Sequence, residues 1–186
     1  SIIQTALPGQ EDVLFFGATG VGLGAFNTVT KKITSYSSGT YNTSLGIKGN
    51  VYGLRCYDNK LWIGSSTGLH CYDYSLQLFE KKDLSSIANG ITLLPTQLMA
   101  AERSKTGKDE RLWLFVPYKD AYIYDLVNDK ILPVPPAIKK YTATDVGIFS
   151  MYIDQKNILW LATNRYGLVG YDINSKKIIR QKEEFN

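Results

Sequence analysis

Lys60-Leu61-Trp62-Ile63-Gly64-Ser65-Ser66-Thr67-Gly68-Leu69-His70-Cys71-Tyr72-Asp73 carries the information that decides the fold. It opens on a short apolar run centred on an indole. It then turns on Ser-Thr-Gly, runs apolar again, and closes on an aromatic followed by Asp. The same unit recurs around Trp113 (Arg111-Leu112-Trp113-Leu114-Phe115) and Trp160 (Ile158-Leu159-Trp160-Leu161-Ala162). A fourth copy, Val13-Leu14-Phe15-Phe16-Gly17, has Phe15 in the tryptophan place. Intervals of 47, 51 and 47 residues separate the four anchors, a fixed period with one small insertion.

More of the unit repeats around each anchor. Gly22-Leu23, Gly68-Leu69 and Gly167-Leu168 follow it, and then come Phe26-Asn27, Tyr72-Asp73, Tyr124-Asp125 and Tyr171-Asp172. A polar turn leads next to Lys32-Ile33, Leu78-Phe79, Lys130-Ile131 and Lys177-Ile178. Upstream of two anchors lie a further apolar stretch and a turn: Val51 to Tyr57 with Asp58-Asn59, and Ile148 to Ile153 with Asp154-Gln155-Lys156-Asn157. Each unit therefore reads as four short strands, a to d, separated by Gly, Asn, Asp and Ser turns, with no 3.6-residue period between them. Four strands every 40–50 residues is the pattern of a propeller blade. The expected fold is all-β: four four-stranded antiparallel blades, approximately 1–48, 49–90, 91–142 and 143–186, forming one segment, 1–186, of a larger propeller. Strand b is buried on both faces in such a fold, which explains its unbroken apolar run, and the indole fills the gap between twisted neighbouring sheets. Gly17 and Gly64 permit close backbone approach there, and Gly22, Gly68 and Gly167 suit the b–c turn. Blade three departs from the unit. It has Pro117-Tyr118-Lys119-Asp120 in its b–c loop and a long polar a–b connection, Ala101 to Glu110, expected to be mobile surface.

The segments Leu61 to Asp73 and Leu159 to Asp172, with the Asp154-Gln155-Lys156-Asn157 turn, resemble the repeat of two-component regulator propellers. The match is good in blades two and four, fair in one and weak in three, and covers nearly the whole chain. That family forms the periplasmic sensor region of hybrid two-component regulators, typically in gut Bacteroidetes, and responds to polysaccharide breakdown products. The resemblance implies a non-catalytic, ligand-sensing, periplasmic segment of a membrane receptor, with an oligosaccharide as ligand and a histidine kinase elsewhere in the parent protein. The family looks to carry two seven-bladed propellers and this chain has four blades, so a homodimer or other propeller blades are expected partners. The family's ligand residues lie outside its repeat motif, so none transfers to this chain.

Composition agrees. The chain has 186 residues, 44% of them hydrophobic, and no run near the roughly 20 apolar residues that a spanning helix needs. No membrane contact is expected within the segment. Ser1-Ile2-Ile3-Gln4 has no basic n-region, which leaves two cases: a cytosolic protein, or a piece of a longer exported one. The net charge of +4 comes largely as lysine pairs (Lys31-Lys32, Lys81-Lys82, Lys139-Lys140, Lys176-Lys177), three of them at or beside a matching point of the repeat, so it spreads around a ring and forms no single basic face, which argues against nucleic acid.

One histidine, His70, and two cysteines, Cys56 and Cys71, are too few for a metal centre, so neither metal nor cofactor is expected. No Ser-His-Asp or paired-carboxylate spacing stands out. Asp58, Asp73, Asp125, Asp154 and Asp172 fall at repeat turns, where backbone hydrogen bonds account for them. An enzyme, a lyase or hydrolase, is the least favoured class, and a protein-interaction or dimerisation platform is the main alternative to a sensor. Cys56 on strand a and Cys71 on strand c flank strand b, so the two are expected to stay unbridged, buried thiols.

In a propeller the d–a and b–c connections share one face. The ligand-binding candidates on that face are Tyr36, Tyr41 and Asn42 after blade one, Tyr118 and Lys119 in blade three, Tyr141 before blade four, and Asn164, Arg165 and Tyr166 within it.

Overall fold

A computed structural model of the chain describes residues 3–5, 11–18, 20, 22–36, 47, 49–57, 59–76, 78–82, 98–103, 109–116 and 121–181. These form two compact units, Ser1–Gln97 and Leu98–Asn186. The first unit holds two antiparallel sheets. One is β1 (Ile3–Thr5), β2 (Val13–Ala18), β3 (Gly22–Asn27) and β4 (Ile33–Ser35); the other is β5 (Val51–Tyr57), β6 (Lys60–Ser65), β7 (Gly68–Asp73) and β8 (Leu78–Lys81). The second unit holds β9 (Leu98–Arg103), β10 (Asp109–Phe115), β11 (Ala121–Asp125) and β12 (Lys130–Pro133). It then has a single-turn helix, α1 (Pro136–Lys139), and a last sheet of β13 (Ile148–Ile153), β14 (Ile158–Thr163), β15 (Gly167–Asp172) and β16 (Lys177–Gln181). Every sheet keeps its strands in chain order, a meander of four. The strands are those the repeat predicts, one sheet per unit of the period.

Register places the four anchors alike. Phe15 lies between Thr5 and Ala25, Trp62 between Arg55 and Cys71, Trp113 between Ala100 and Ile123, and Trp160 between Tyr152 and Gly170. Within each unit the anchor's face of the first sheet turns toward the second sheet, whose face carrying the flanking aliphatics and the c-strand tyrosine turns back toward it. Thus Phe15, Leu23 and Ala25 share a core with Leu61, Ile63 and Tyr72, and Trp113, Phe115 and Ile123 share one with Leu159, Leu161 and Tyr171. Gly17 is required by this approach: a Cβ there would sit 2.4 Å from Val51 Cγ1.

The turns repeat as closely as the strands. Asn27 Oδ1 accepts the N–H groups of Val29 and Thr30, Asp73 Oδ1 that of Leu76, Asp125 Oδ1 those of Val127 and Asn128, and Asp172 Oδ1 those of Asn174 and Ser175. Each c–d turn is therefore closed by the side chain that ends strand c. Lys31, Asp129 and Lys176 then take positive φ of 59°, 51° and 59°, which sets the polar residue before strand d in the left-handed region.

Two expectations are corrected. Ala101 to Arg103 and Asp109–Glu110 belong to β9 and β10 rather than to a loop; residues 104–108 lie outside the described ones. Of the two thiols, Cys71 is buried but Cys56 is only half-buried, because strand a sits at the edge of its sheet while strand c is covered on both sides. The strand order is as expected: Cys56 pairs with Leu61 and Cys71 with Trp62, with β6 between them and no disulfide.

Candidate ligand-binding loops

The chain between β12 and β13 and the b–c turn of the last sheet meet on one face. Pro135 and Pro136 start α1, whose first turn needs no proline N–H. Lys140 caps the helix C-terminus, and Tyr141 follows with its N–H on Ile138 O at 2.9 Å. Tyr141 is 2% exposed and belongs to the core of the second unit. Its ring meets that of Tyr166 edge-on, with centroids 4.9 Å apart. Lys140 Nζ stands 4.6 Å from the Tyr141 ring and 5.9 Å from the Tyr166 ring, and the Arg165 guanidinium 5.8 Å from Tyr166. Arg165 also pairs with Asp145, both side chains more than half exposed. Two cations thus flank one half-buried phenol, an arrangement that can offer a ligand an aromatic face and charged hydrogen-bond donors.

Asn164 has a different task. Its Oδ1 accepts the Gly147 N–H at 2.9 Å, and its own N–H donates to Gly147 O at 2.9 Å. The first unit repeats this with other residues. Ser66 Oγ accepts the Asn50 N–H at 3.1 Å, and the Ser66 N–H donates to Asn50 O at 2.9 Å. The first polar residue of the b–c turn ties the entry of strand a in both units. The pairing of Ser66 with Asn164 across the period is the signal in the sequence that points to it.

The remaining candidates divide. Tyr36 extends the β3–β4 ladder by donating its N–H to Leu23 O at 2.9 Å. Its ring enters the seam between the first two sheets, 5.5 Å from Tyr72 and 5.7 Å from Phe79. Tyr141 is a core aromatic rather than a loop tip, and Tyr36 is half-buried against the core of the first unit: each follows a hydrogen-bonded element whose geometry carries the ring inward. Tyr41, Asn42, Tyr118 and Lys119 lie outside the described residues.

Among the described residues several groups suited to catalysis are engaged, while His70 Nδ1 is buried without a hydrogen-bond partner. His70 is buried, its Nε2 3.0 Å from Thr67 Oγ1, and burial with the nearby Lys81 charge lowers its pKa to about 4. Asp154 accepts from the Lys156 and Ile158 N–H groups and from the Trp160 indole N–H at 3.0 Å; the indole bond, first among these, holds its carboxyl below the usual range. Glu102 takes the Trp113 indole N–H in the same way, at 3.0 Å. Among the described residues no cluster of three His, Cys, Asp or Glu side chains could hold a metal.

No family model matches the chain, and no curated protein matches its sequence. Solved structures do. The extracellular domain of the hybrid two-component system BT3049 of B. thetaiotaomicron superposes with a TM-score of 0.67 at 16% identity, over 94% of this chain and 23% of that one. That of BT4673 from the same organism gives 0.68 at 20% identity, over 94% and 21%. The Pan2 WD40 domain of Neurospora crassa gives 0.63 at 12% identity, over 97% and 48%. The fold is a β-propeller fold. This propeller chain spans about a fifth of the length of the two ectodomains. None of the described helices is long and apolar enough to cross a membrane.

Proposed function

We propose that this propeller is a non-catalytic, ligand-sensing segment of a two-component receptor, that it works in the periplasm and that its ligand is an oligosaccharide. The observation that carries the reading is the likeness over 94% of the chain to extracellular domains of hybrid two-component systems. The engagement of His70, Asp125, Asp154 and Asp172 in core and turn bonds supports a non-catalytic role. Arg165 and Tyr166, with Lys140 beside them, are the contact residues we assign to an extended sugar. The test is calorimetric titration with soluble oligosaccharide fractions. Arg165→Ala with Tyr166→Ala should weaken binding at least tenfold with an unchanged far-UV CD spectrum. Unchanged affinity removes this face from the reading, and no binding by any fraction removes the oligosaccharide.

A second reading, a protein-interaction platform, is favoured by one observation. The Trp160 face of the last sheet leaves Tyr152 54% and Ile179 48% exposed, with Phe149 at 72% on the same strand as Tyr152. Concentration-dependent association without a sugar response would favour it.

A further inference from the structure

The seam between the first two sheets holds a half-open pocket of about 230 Å³, where the matching positions of the second unit carry larger side chains packed against its core. The register shows why. Ala25 pairs with Phe15 as Ile123 pairs with Trp113, and Thr34 pairs with Ala25 as Leu132 pairs with Ile123. Ile123 and Leu132 pack into the core of the second unit. Ala25 and Thr34, in the same places, line the cavity. Protein interiors are close-packed, so shortening two facing side chains leaves a void of this kind unless neighbours move in.

The walls have their own chemistry. Tyr36, Tyr72 and Tyr74 supply aromatic surface, and Asn27 and Thr34 supply polar groups. Asn27 Oδ1 is occupied by the Val29 and Thr30 N–H groups, which leaves its amide NH₂ as the donor for an occupant. None of the described lining residues is charged at neutral pH, so the site suits an uncharged occupant; a charge there would have no counter-charge among them. The volume falls below the roughly 300 Å³ at which pockets for drug-sized ligands begin, so one ring fits and a chain does not. A small aromatic would use the tyrosines and leave the Asn27 and Thr34 groups unmatched.

We propose that this seam binds a single neutral sugar ring, a pyranose with its apolar face on the tyrosines and its hydroxyls on Asn27 and Thr34. The sugar class rests on the sensor reading above; the cavity does not. Methyl pyranosides of glucose, galactose and N-acetylglucosamine are the probes, with 4-methylphenol and tetramethylammonium as controls, read by saturation-transfer NMR and calorimetry. Ala25→Ile with Thr34→Leu gives the first seam the side chains of the second. Asn27→Asp keeps the turn bonds, as Asp125 and Asp172 do, and replaces the amide donor by a carboxylate.

We expect a pyranoside to bind the unaltered chain, at least tenfold more weakly to the filled variant and several-fold more weakly to Asn27→Asp, with binding unchanged by Arg165→Ala and Tyr166→Ala. If the filled variant does not fold, Asn27→Asp decides. The proposal is overturned if no pyranoside binds, if either seam variant binds as the parent does, or if a control binds in preference. Absence of pyranoside binding, with an oligosaccharide still held through Arg165 and Tyr166, sinks the seam site and leaves the sensor reading standing. Pyranoside binding with no oligosaccharide response removes the oligosaccharide from the sensor reading and leaves the seam site standing.

Discussion

The Trp113 ring rests on the Tyr171 ring of the following sheet, with centroids 6.1 Å apart and planes at 59°. Phe15 and Tyr72 repeat the contact in the first unit at 6.3 Å and 57°. One pair of positions in the period, the strand-b anchor and the strand-c tyrosine, thus makes the same seam twice. Trp160 has the anchor's register too, but it is only half-buried.

That difference predicts unequal costs. Trp113 is 1% exposed, so Trp113→Ala removes a fully packed indole and should destabilise by about 3–5 kcal/mol. Trp160→Ala removes a half-buried one and should cost less, about 2 kcal/mol. Urea unfolding followed by CD measures both; equal losses would mean that the Trp160 face is as closely packed as the Trp113 seam.

Asn164 should behave as a structural cap. Asn164→Ala leaves the Gly147 N–H without its 2.9 Å acceptor and should cost about 1 kcal/mol. Asn164→Ser should recover most of that, because Ser66 performs the same task in the first unit. Thermal melts compare the two. A loss of ligand affinity in Asn164→Ser with unchanged stability would instead place this residue in the binding face.

The two cysteines should titrate as two thiols after denaturation without reductant, since strands a and c stand roughly twice 4.8 Å apart with β6 between them. In the native chain Cys71 should label slowly at neutral pH. Burial, its largest influence, pushes the thiol up to about 11 despite the opposing charges of Lys60 and Lys82. Rapid labelling of Cys71 under native conditions would contradict its burial.

Acid should weaken the fold before the carboxylates are reached. His70 titrates near 4 when folded, against an ordinary value of 6.5, so the unfolded chain binds the proton more readily. Stability is therefore full above about pH 6.5 and falls as the pH drops toward 4, by on the order of 2–3 kcal/mol. His70→Gln should flatten that slope. Chemical denaturation at pH 7, 5.5 and 4.5 checks it, and a parent profile level over this window would show that His70 is not desolvated.

Much of the fold was legible because it rests on local, repeated chemistry. A strand-b run such as Leu61-Trp62-Ile63 is apolar throughout because both its faces are covered, and the Asn27, Asp73, Asp125 and Asp172 turns close on hydrogen bonds within five residues. Such interactions leave a pattern at a fixed spacing. The candidate site was less legible. Tyr36 and Tyr141 stand beside turn residues and read as exposed, yet a ladder bond lays the Tyr36 ring against the core and a helical turn carries that of Tyr141 into it. Asn164 reads as a polar loop tip, and its partner Gly147 is seventeen residues away with nothing in its own sequence to mark it.

The period of the anchors, the alternation of turn and strand and the order of strands within each sheet were determined by the sequence alone, because each depends on neighbours within a few residues or one turn. The pocket in the first seam was decided only by tertiary structure. Ala25 and Ile123 are equally ordinary residues for a strand, and their difference becomes a cavity only when a second sheet, carrying Tyr72 and Tyr74, is laid against the first.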